Sequence, residues 1–286
     1  MIPDRFRLAV PNKGRLLEPT IALLHDAGLV FDVGTRALVS HCENSPLDIL
    51  FVRTEDIVEF VADGVAEAGI TGVNLVEESG RPVRTLARLG YGRCSLDAAV
   101  PVDSAAQELE DLAGRRLATS HPRSAGRFFA EREIPIELVP LSGAVEVAPR
   151  MNLADGIVDL VSSGSTLLMN GLRSVGTLLR SEAILVCGQE CGRRPDVLDQ
   201  LCTMLEAVVA ARRRKYLMMN VPRAALARVE ALLPGLESPS IVPLAHEWMV
   251  AVHAVVPTDD VWGLLGPLRE AGASGILVLP IEKLIP

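Results

Sequence analysis

The chain has 286 residues, with 28 Lys and Arg against 36 Asp and Glu, and its formal net charge is −8. This length predicts two or three domains with enough residues for buried cores. The negative charge argues against a broad nucleic-acid-binding surface, so an anionic substrate would need local positive groups.

The hydrophobic runs and the cysteines exclude two further classes of protein. No apolar run reaches the roughly 18 residues of a membrane-spanning helix, and the N-terminus enters a strand without a signal-peptide pattern. We therefore expect a cytoplasmic protein with no membrane partner. The five cysteines are scattered, which predicts neither a disulfide framework nor a zinc site. They are Cys42, Cys94, Cys187, Cys191 and Cys202.

The first predicted strand, Phe6 to Val10, ends in a cationic loop. The loop reads Pro11-Asn12-Lys13-Gly14-Arg15, and the helix after it is expected to stop at Gly28. Open α/β sheets bind ligands beyond the carboxyl ends of their strands, which is where Lys13 and Arg15 fall. The alternative is that these cations are simply solvated.

A second strand-to-helix turn follows. Leu47 to Val52 is a predicted strand with Thr54 as the N-cap of the next helix. Ala68 to Thr71 is another strand, and its turn Gly69-Ile70-Thr71-Gly72 leads into a helix at Val73. Alternating strands and helices predict a mostly parallel sheet. The alternative to a ligand-binding role is that the glycines of this turn only allow tight packing.

From Cys94 to Pro101 the chain is expected to form a strand that crosses into a second lobe. The alternation then continues, and two extended stretches from Ser174 to Cys187 and a long helix return the chain to the first lobe. The predicted elements are a helix near Ser104 to Leu112, a strand Arg116 to Thr119, a helix Ser124 to Glu131, a strand Ile136 to Val139, a helix opened by Gly143 to Glu146, and a helix from about Pro195 to Lys215.

The segment Asn152 to Asn170 predicts an anion site. Asp155-Gly156 is a turn, Ile157 to Val161 is a strand, and the hydroxyl-rich loop Ser162 to Thr166 opens a helix at Leu167. Loop amides, hydroxyl donors and a helix start favour a phosphate. A serine loop that merely caps a helix is the alternative.

Asp159 interrupts the apolar strand and shares a face with Ile157 and Val161. Burying its carboxylate without donors would cost several kcal/mol. Sugar hydroxyls are suitable donors, so the carboxylate and the loop together suit a phosphorylated ribose. The alternative is an edge-strand aspartate that faces solvent.

The last seventy residues change to a βαββαβ order, which predicts a ferredoxin-like module. Pro222 suits a first helical position, Thr258 an N-cap and Gly272 the stop after a helix. His253 is expected in a core or an interface, not as a ligand. The predicted elements are Tyr216 to Val221, Arg223 to Leu233, Ser240 to Val242, Trp248 to Val256, Thr258 to Ala271 and Gly275 to Leu279.

The run Asp155 to Leu167, D-G-I-V-D-L-V-S-S-G-S-T-L, resembles the signature of the ATP phosphoribosyltransferase family, the first enzyme of histidine biosynthesis. Further segments in the expected order extend the resemblance over essentially the whole chain. They are Leu8 to Arg15, Gly69 to Gly72, Gly143 to Glu146 and Pro234 to Pro239.

The resemblance implies a fold of three parts. Two α/β lobes around a cleft are similar to type II periplasmic binding proteins, and a C-terminal ferredoxin-like (ACT-like) domain is typical of the long, self-regulated form of the enzyme. The expected boundaries are 1–93 with 183–211 for the nucleotide lobe, 94–182 for the phosphoribosyl pyrophosphate lobe and 212–286 for the regulatory domain.

The resemblance also implies the reaction, in which N1 of the ATP adenine joins C1 of phosphoribosyl pyrophosphate and pyrophosphate leaves. Mg²⁺ would be carried mainly by the pyrophosphate, without a dedicated protein site. Lys13 and Arg15 are the expected catalytic cations, Glu146 and Asp159 the ribose pair. The other expected substrate contacts are Gly14, Gly69, Thr71, Gly72, Ser162, Ser163, Gly164, Ser165 and Thr166.

Histidine is the implied inhibitor, with contacts at Leu236, Ser238, Ser240 and Ala273, and the family suggests dimers that assemble into hexamers. The rival hypothesis is a noncatalytic two-lobed ligand-binding or sensor protein of the same fold, because a fold does not decide chemistry. A P-loop enzyme is disfavoured, since neither G-x-x-x-x-G-K-[ST] nor G-x-G-x-x-G is present.

Overall fold

The computed structural model describes residues 5–34, 38–189, 195–233 and 238–285. The chain divides into two compact units, Met1–Ala22 with Leu29–Asp199, and Leu23–Gly28 with Gln200–Pro286. Strands of the described residues form three sheets, of which the first unit holds two. No described helix has the length and the apolar character that a bilayer span requires.

The first sheet, with its helices, is called the first lobe. Its strand order is β2-β3-β1-β4-β11-β5. The strands are β1 (Phe6–Pro11), β2 (Val39–His41), β3 (Leu47–Val52), β4 (Ala68–Gly72), β5 (Val83–Arg88) and β11 (Ala183–Gly188), and the helices are α1 (Leu17–Asp26), α2 (Ile57–Ala62) and α3 (Val73–Ser79).

The second sheet, with its helices, is called the second lobe. Its strand order is β10-β6-β9-β7-β8. The strands are β6 (Cys94–Pro101), β7 (Arg116–Thr119), β8 (Glu137–Pro140), β9 (Gly156–Val161) and β10 (Leu172–Ser181), and the helices are α4 (Pro122–Glu131) and α5 (Ser165–Met169).

The chain crosses between the two lobes twice, from β5 to β6 and from β10 to β11. Both crossings confirm the predicted two-lobed architecture. The prediction of mostly parallel sheets is wrong, because the strands beside each crossing are antiparallel: β11 runs against β4 and β5, and β6 runs against β9 and β10. Parallel pairing is kept within β3-β1-β4 and β9-β7-β8.

Alternation along β9 assigns its two faces to two different cores. Val158 packs into a core with Leu96 and Phe129, whereas Ile157 packs on the other face with Val145 and Leu167. A strand with both faces covered reads as a nearly continuous apolar run. This explains why Ile157 to Val161 is β-branched and apolar except at Asp159.

The second unit has one antiparallel sheet in the order β13-β14-β12-β15. The long helix α6 (Pro195–Arg212) leads into it. Both later helices pack against the same sheet face, because Val229 and Leu268 share a core with Leu217 and Val252. The ferredoxin-like prediction is confirmed. The elements are β12 (Arg214–Pro222), α7 (Leu226–Leu232), β13 (Ser240–Pro243), β14 (Met249–Pro257), α8 (Val261–Glu270) and β15 (Ser274–Pro280).

Several predicted helix starts are wrong in the same way. α2 is preceded by Asp56 instead of Thr54, and α8 by Asp260 instead of Thr258, because a short turn separates each strand from its helix. Pro222 ends β12 and is not a first helical residue. Gly272 does follow α8 with φ +108°, as predicted.

Two predicted helices are reduced to 3-10 turns. The segment near Ser104 to Leu112 is helical at Leu109–Leu112, and the segment opened by Gly143 to Glu146 forms the turns Val145–Val147 and Pro149–Met151. Ala144, at φ +51°, prevents a regular helix from starting at Gly143. Glu146 is therefore held by a tight turn rather than by an α-helix.

Candidate active site

The carboxyl ends of the central strands of the first lobe meet at one edge. β1 and β3 are parallel with Pro11 opposite Val52, so the loop from Lys13 to Arg15 lies beside Arg53 and Thr54. Arg53 is exposed and was not singled out from the sequence. The signal that could have found it is its place directly after a parallel strand.

A cavity of about 670 Å³ joins this edge to the second lobe. From the first lobe come Lys13, Gly14, Arg15, Thr54, Asn74 and Glu78, and from the second Ser120, His121, Ser142 and Leu160. Lys13 is exposed and, among the described residues, makes no recorded ion pair. The cavity therefore offers a cation at one wall and hydroxyl and imidazole groups at the other.

The hydroxyl-rich loop lies at the carboxyl end of β9. Ser162, Ser163, Ser165 and Thr166 are all exposed, and the Ser163 and Ser165 hydroxyls are 2.9 Å apart. Gly164 has φ +75°, and a Cβ there would meet nothing within 4 Å. α5 begins at Ser165, two residues earlier than expected. Open donors around a left-handed glycine form a concave site that suits a phosphate.

Asp159 lies in a central strand, since β9 is flanked by β6 and β7. The solvent-facing edge strand considered above is therefore wrong. Its carboxylate accepts the Leu160 N–H at 2.8 Å. Burial raises the pKa of the Asp159 carboxyl, the Glu146 carboxylate raises it further, and His121 acts in the opposite direction. A half-buried acid with so few donors has spare acceptor capacity for a ligand.

Val145 packs in the same core as Ile157 of β9, so the turn at Val145–Val147 brings Glu146 to the part of the second lobe that holds Asp159. Two carboxylates beside a phosphate loop match the ribose pair that the resemblance implies. The structure thus brings together Glu146, Asp159 and the loop Ser162 to Thr166.

Gly69 and Thr71 are placed differently. A Cβ on Gly69 would lie 2.6 Å from Ile57 and 2.9 Å from Val61, so this glycine allows α2 to pack on β4. Thr71 is fully buried and donates to the Thr54 carbonyl at 3.4 Å. Gly72 ends the strand beside Asn74. The contact of these residues with a nucleotide stays a prediction.

Asn74 and His121 connect the two lobes. The Asn74 amide lies 3.1 Å from Nε2 of His121, and its carbonyl accepts the Ser181 hydroxyl at 2.8 Å. Nδ1 of His121 is 3.0 Å from the Ser120 hydroxyl. Burial lowers the pKa of the imidazole, and the Glu78 and Asp159 carboxylates oppose this shift. His121 directly precedes α4.

Arg15 braces a neighbouring loop as well as lining the cavity. Its guanidinium donates to the Gly92 carbonyl at 2.8 Å and to the Cys94 sulfur at 2.9 Å. These contacts fix the connection that carries the chain from β5 into β6. Arg15 therefore contributes to the position of other groups besides its own charge.

The candidate inhibitor contacts lie in the second unit. Leu236 falls outside the described residues. Ser238 and Ser240 are exposed, and Ser240 begins β13, opposite His253 of β14. Ala273 directly precedes β15. β13 and β15 are the two edges of the sheet, with β14 and β12 between them. Within one copy of the chain, Ser240 and Ala273 therefore belong to opposite edges of the sheet.

Within the described ranges, no group of three or more His, Cys, Asp or Glu side chains is arranged to hold a metal ion. The described cysteines form no disulfide, and burial raises the pKa of Cys42 to about 11.

Comparison with known proteins decides the family. The family model described as ATP phosphoribosyltransferase matches residues 53–207, and the HisG C-terminal domain matches residues 211–283. The chain belongs to the ATP phosphoribosyltransferase family. The match includes Glu146, Asp159 and the loop Ser162 to Thr166, whereas Lys13, Gly14 and Arg15 lie before its first residue.

Relatives in the ATP phosphoribosyltransferase family align over nearly their full length. The ATP phosphoribosyltransferase of Gemmatimonas aurantiaca is 48% identical, with 98% of this chain and 99% of the relative covered. That of Methanosarcina barkeri is 41% identical with the same coverage. A solved ATP phosphoribosyl transferase (HisG:HisZ) complex from Thermotoga maritima has a TM-score of 0.60 at 24% identity, covering 70% of this chain and 98% of that one. The last likeness concerns the fold.

Proposed function

We propose that this chain condenses ATP with phosphoribosyl pyrophosphate to give N1-(5-phosphoribosyl)-ATP and pyrophosphate, the first step of L-histidine biosynthesis. Family membership and relatives of the same name at 40–48% identity support this reaction. We further propose that the enzyme acts in the cytoplasm, as expected for a biosynthetic step whose substrates are phosphorylated metabolites.

The observation that carries the proposal is the pairing of a phosphate loop with an acid on one strand. Asp159 lies on β9, three residues before Ser162, the first residue of the loop. Gly164 has no side chain, so a ligand can approach the loop backbone closely. We assign the 5′-phosphate to the loop Ser162 to Thr166 and the ribose hydroxyls to Asp159 and Glu146. Within the described residues the half-buried Asp159 carboxylate accepts the Leu160 N–H, and this assignment gives it the ribose hydroxyls as further donors.

Departure of pyrophosphate builds negative charge on the leaving group and positive charge on the ribose ring. Catalysis is then mainly positioning and electrostatic stabilisation. Lys13 is the proposed cation at the leaving group, because it lines the cavity with its charge uncompensated among the described ion pairs. Arg15 lines the same cavity and supports this role. Mg²⁺ enters as part of the phosphorylated substrates.

His121 is proposed as a positioning residue and not as a general base. Its lowered pKa keeps the ring neutral at pH 7, and both ring nitrogens are engaged by Asn74 and Ser120. The adenine N1 attacks with its own lone pair, so bond formation needs no prior deprotonation. The ring instead links the wall of the second lobe to α3.

Absorbance of the adenine ring tests the proposed function. Mixing the protein with ATP, Mg²⁺ and phosphoribosyl pyrophosphate should shift the adenine band, because N1 becomes substituted. Omitting each substrate in turn gives the controls. A folded protein that binds both substrates without any shift would contradict the reaction and favour the noncatalytic sensor hypothesis.

The second unit is proposed to bind histidine as a feedback inhibitor, in a homo-oligomer built from dimers and reaching a hexamer. The positions of Ser240 and Ala273 at opposite sheet edges support a site shared between copies, in which β13 of one copy faces β15 of another. Such a site would couple inhibitor binding to assembly, since the ligand binds only where two copies meet.

A further inference from the structure

A second cavity of about 480 Å³ lies against the phosphate loop. Ser162 is part of its wall, and three arginines line it: Arg88, Arg93 and Arg180. Arg88 is paired with Glu182 at 2.8 Å. The other two guanidinium groups have no recorded hydrogen bond or ion pair within the described part of the chain. The cavity therefore carries two uncompensated positive charges in a chain of net charge −8.

The loop that presents Arg93 is held in one conformation from several directions. Gly90 and Gly92 have φ of +76° and +63°. Leu16 occupies the space that a Cβ on Gly92 would need, and Arg15 donates to the Gly92 carbonyl at 2.8 Å. The Tyr91 hydroxyl lies 2.6 Å from the Thr20 hydroxyl. Because the backbone of this loop is already held in one conformation, binding of a ligand to Arg93 costs little conformational entropy of the loop.

Arg180 arrives from the other crossing segment. It lies near the end of β10 and pairs in register with Ser95 of β6, the strand that follows the Arg93 loop. The register of β10 shifts between Thr177 and Leu179, which changes the direction of the side chains that follow. The two crossings between the lobes thus deliver one unpaired arginine each to the same cavity.

Glu182 also lines the cavity but is already paired with Arg88, so Arg93 and Arg180 face each other without an acid of their own. Like charges placed together in this way are unfavourable unless an anion binds between them. The planar guanidinium fork fits phosphate oxygens with two parallel hydrogen bonds. A single phosphate is already accounted for by the loop Ser162 to Thr166, and the cavity is much larger than one phosphate group. The fitting ligand is a chain of two or three linked phosphates.

We propose that Arg93 and Arg180 form a polyphosphate clamp beside the phosphate loop. This inference rests on the proposed function and deepens it, because the enzyme's substrates offer two such chains. One is the diphosphate of phosphoribosyl pyrophosphate, and the other is the triphosphate of ATP. Their shared chemistry is a linked phosphate chain, and substrate kinetics separate the two sources.

The test compares Arg93→Gln and Arg180→Gln with Arg116→Gln as the matched control. Arg116 is an exposed arginine at the far end of the same sheet, paired with Glu137 at 3.1 Å. KM and kcat are measured for each substrate, and binding of inorganic pyrophosphate and of ATP is measured by titration calorimetry with Mg²⁺. Each clamp variant should weaken one ligand at least about tenfold, the effect of losing a charged hydrogen bond.

A raised KM for phosphoribosyl pyrophosphate together with weaker pyrophosphate binding assigns the diphosphate. A raised KM for ATP with weaker ATP binding assigns the triphosphate. Unchanged KM and binding in folded, active variants would overturn the clamp. Should a glutamine variant fail to fold, Arg93→Lys keeps the charge, removes the fork and is expected to lose part of the affinity.

Failure of the proposed function is distinguishable from failure of the clamp. A wild-type protein that forms no product refutes the reaction, while its pyrophosphate and ATP titrations against the variants still report on Arg93 and Arg180. Equal binding by wild type and both variants then refutes the clamp as well.

Discussion

The carboxylate of Glu78 in α3 accepts both the backbone N–H and the hydroxyl of Ser124 in α4, each at 2.8 Å. It also accepts the Arg123 N–H at 3.0 Å. An acid of the first lobe thus satisfies the free N–H groups at the start of a helix in the second lobe, where a negative charge is favoured. Glu77 and Arg127 form an ion pair along the same two helices. This contact fixes one side of the cleft.

Glu78→Ala should lower the free energy of unfolding by about 1–2 kcal/mol, since it removes a helix cap and leaves buried donors without a partner. Urea denaturation measures the change. Glu131→Ala is the control, because Glu131 lies exposed on the same α4 and makes a 3.8 Å surface pair with Arg127. Equal losses in the two variants would show that the cap contributes no more than an ordinary surface acid.

The pKa of His121 predicts a pH dependence of stability. Burial lowers this pKa below its ordinary value of 6.5, against the opposing effect of the Glu78 and Asp159 carboxylates. The unfolded chain therefore takes up a proton before the folded chain does. Stability associated with His121 is present above pH 6.5 and is lost as the pH falls towards the folded-state pKa.

The difference in melting temperature between wild type and His121→Gln should therefore become smaller as the pH falls. Melting temperatures of both proteins, measured from pH 7.5 to pH 5, give the comparison. Titration of the other histidines is common to both proteins and cancels in the difference. If the melting temperatures of the two proteins differ by the same amount at every pH in this range, the assignment of a depressed pKa to His121 is contradicted.

The Asp159 carboxylate is expected to lower the folding stability of the free protein and to favour binding of phosphoribosyl pyrophosphate. Burial, and then Glu146, raise the pKa of its carboxyl above 3.8. The folded protein thus holds this proton to higher pH than the unfolded chain does, so stability falls as the pH rises through that window. Asp159→Asn removes the charged form and should stabilise the free protein at pH 7.

The same Asp159→Asn change should weaken phosphoribosyl pyrophosphate binding by roughly tenfold or more, because an amide is a poorer acceptor for ribose hydroxyls than a carboxylate. Thermal unfolding and titration calorimetry at pH 7 measure the two effects. The stability gain should disappear below pH 3.8. Unchanged affinity would remove Asp159 from the ribose site.

Gly164 and Gly114 form a matched pair for testing the phosphate loop. Both have φ +75°, and a Cβ on either would meet nothing within 4 Å. Alanine at either position should cost about 1–2 kcal/mol of backbone strain in the left-handed region. Gly114 precedes β7 at the end away from the cleft, so Gly114→Ala should leave substrate binding unchanged.

Gly164→Ala should in addition raise the KM for phosphoribosyl pyrophosphate by roughly tenfold, the loss of about one charged hydrogen bond, because a methyl group would enter the space that the phosphate approaches. Steady-state kinetics of both variants measure this difference. An equal KM in the two alanine variants would place the phosphate elsewhere.

Local sequence patterns predicted the strands, the phosphate loop and the ferredoxin-like order because each depends on nearby residues. The run Ile157 to Val161 is a strand by its own composition, and the small, hydroxyl-rich residues Ser162 to Thr166 predict a loop, in which Gly164 has φ +75°. The edges of elements were less accurate: Thr54 and Thr258 are good cap residues by type, yet short turns place Asp56 and Asp260 before the helices.

Long-range contacts could not be predicted from local patterns. The Asn74–His121 pair spans 47 residues, and the Glu78–Ser124 pair spans 46. Neither position has a periodic or motif signal. Arg93 and Arg180 line one cavity only because the two crossings between the lobes bring distant segments together. The antiparallel pairing at these crossings was not predicted, because it also depends on long-range contacts.

The edge positions of Ser240 and Ala273 lead to a test of shared inhibitor sites. Ser240→Tyr and Ser274→Tyr should each abolish histidine inhibition in a pure oligomer, since each blocks one half of every site; Ser274 is the exposed first residue of β15, next to the buried Ala273. Mixed oligomers of the two variants contain some interfaces that join an intact β13 to an intact β15. Such mixtures should therefore recover part of the inhibition.

The mixing experiment uses inhibition curves of the two variants before and after co-refolding or subunit exchange, with each pure variant as the control. Every copy in the mixture carries one substitution. If each inhibitor site lay within a single chain, every site would contain one blocking tyrosine, and no inhibition would return. Partial inhibition in the mixture therefore requires β13 and β15 of different copies to enclose the same ligand.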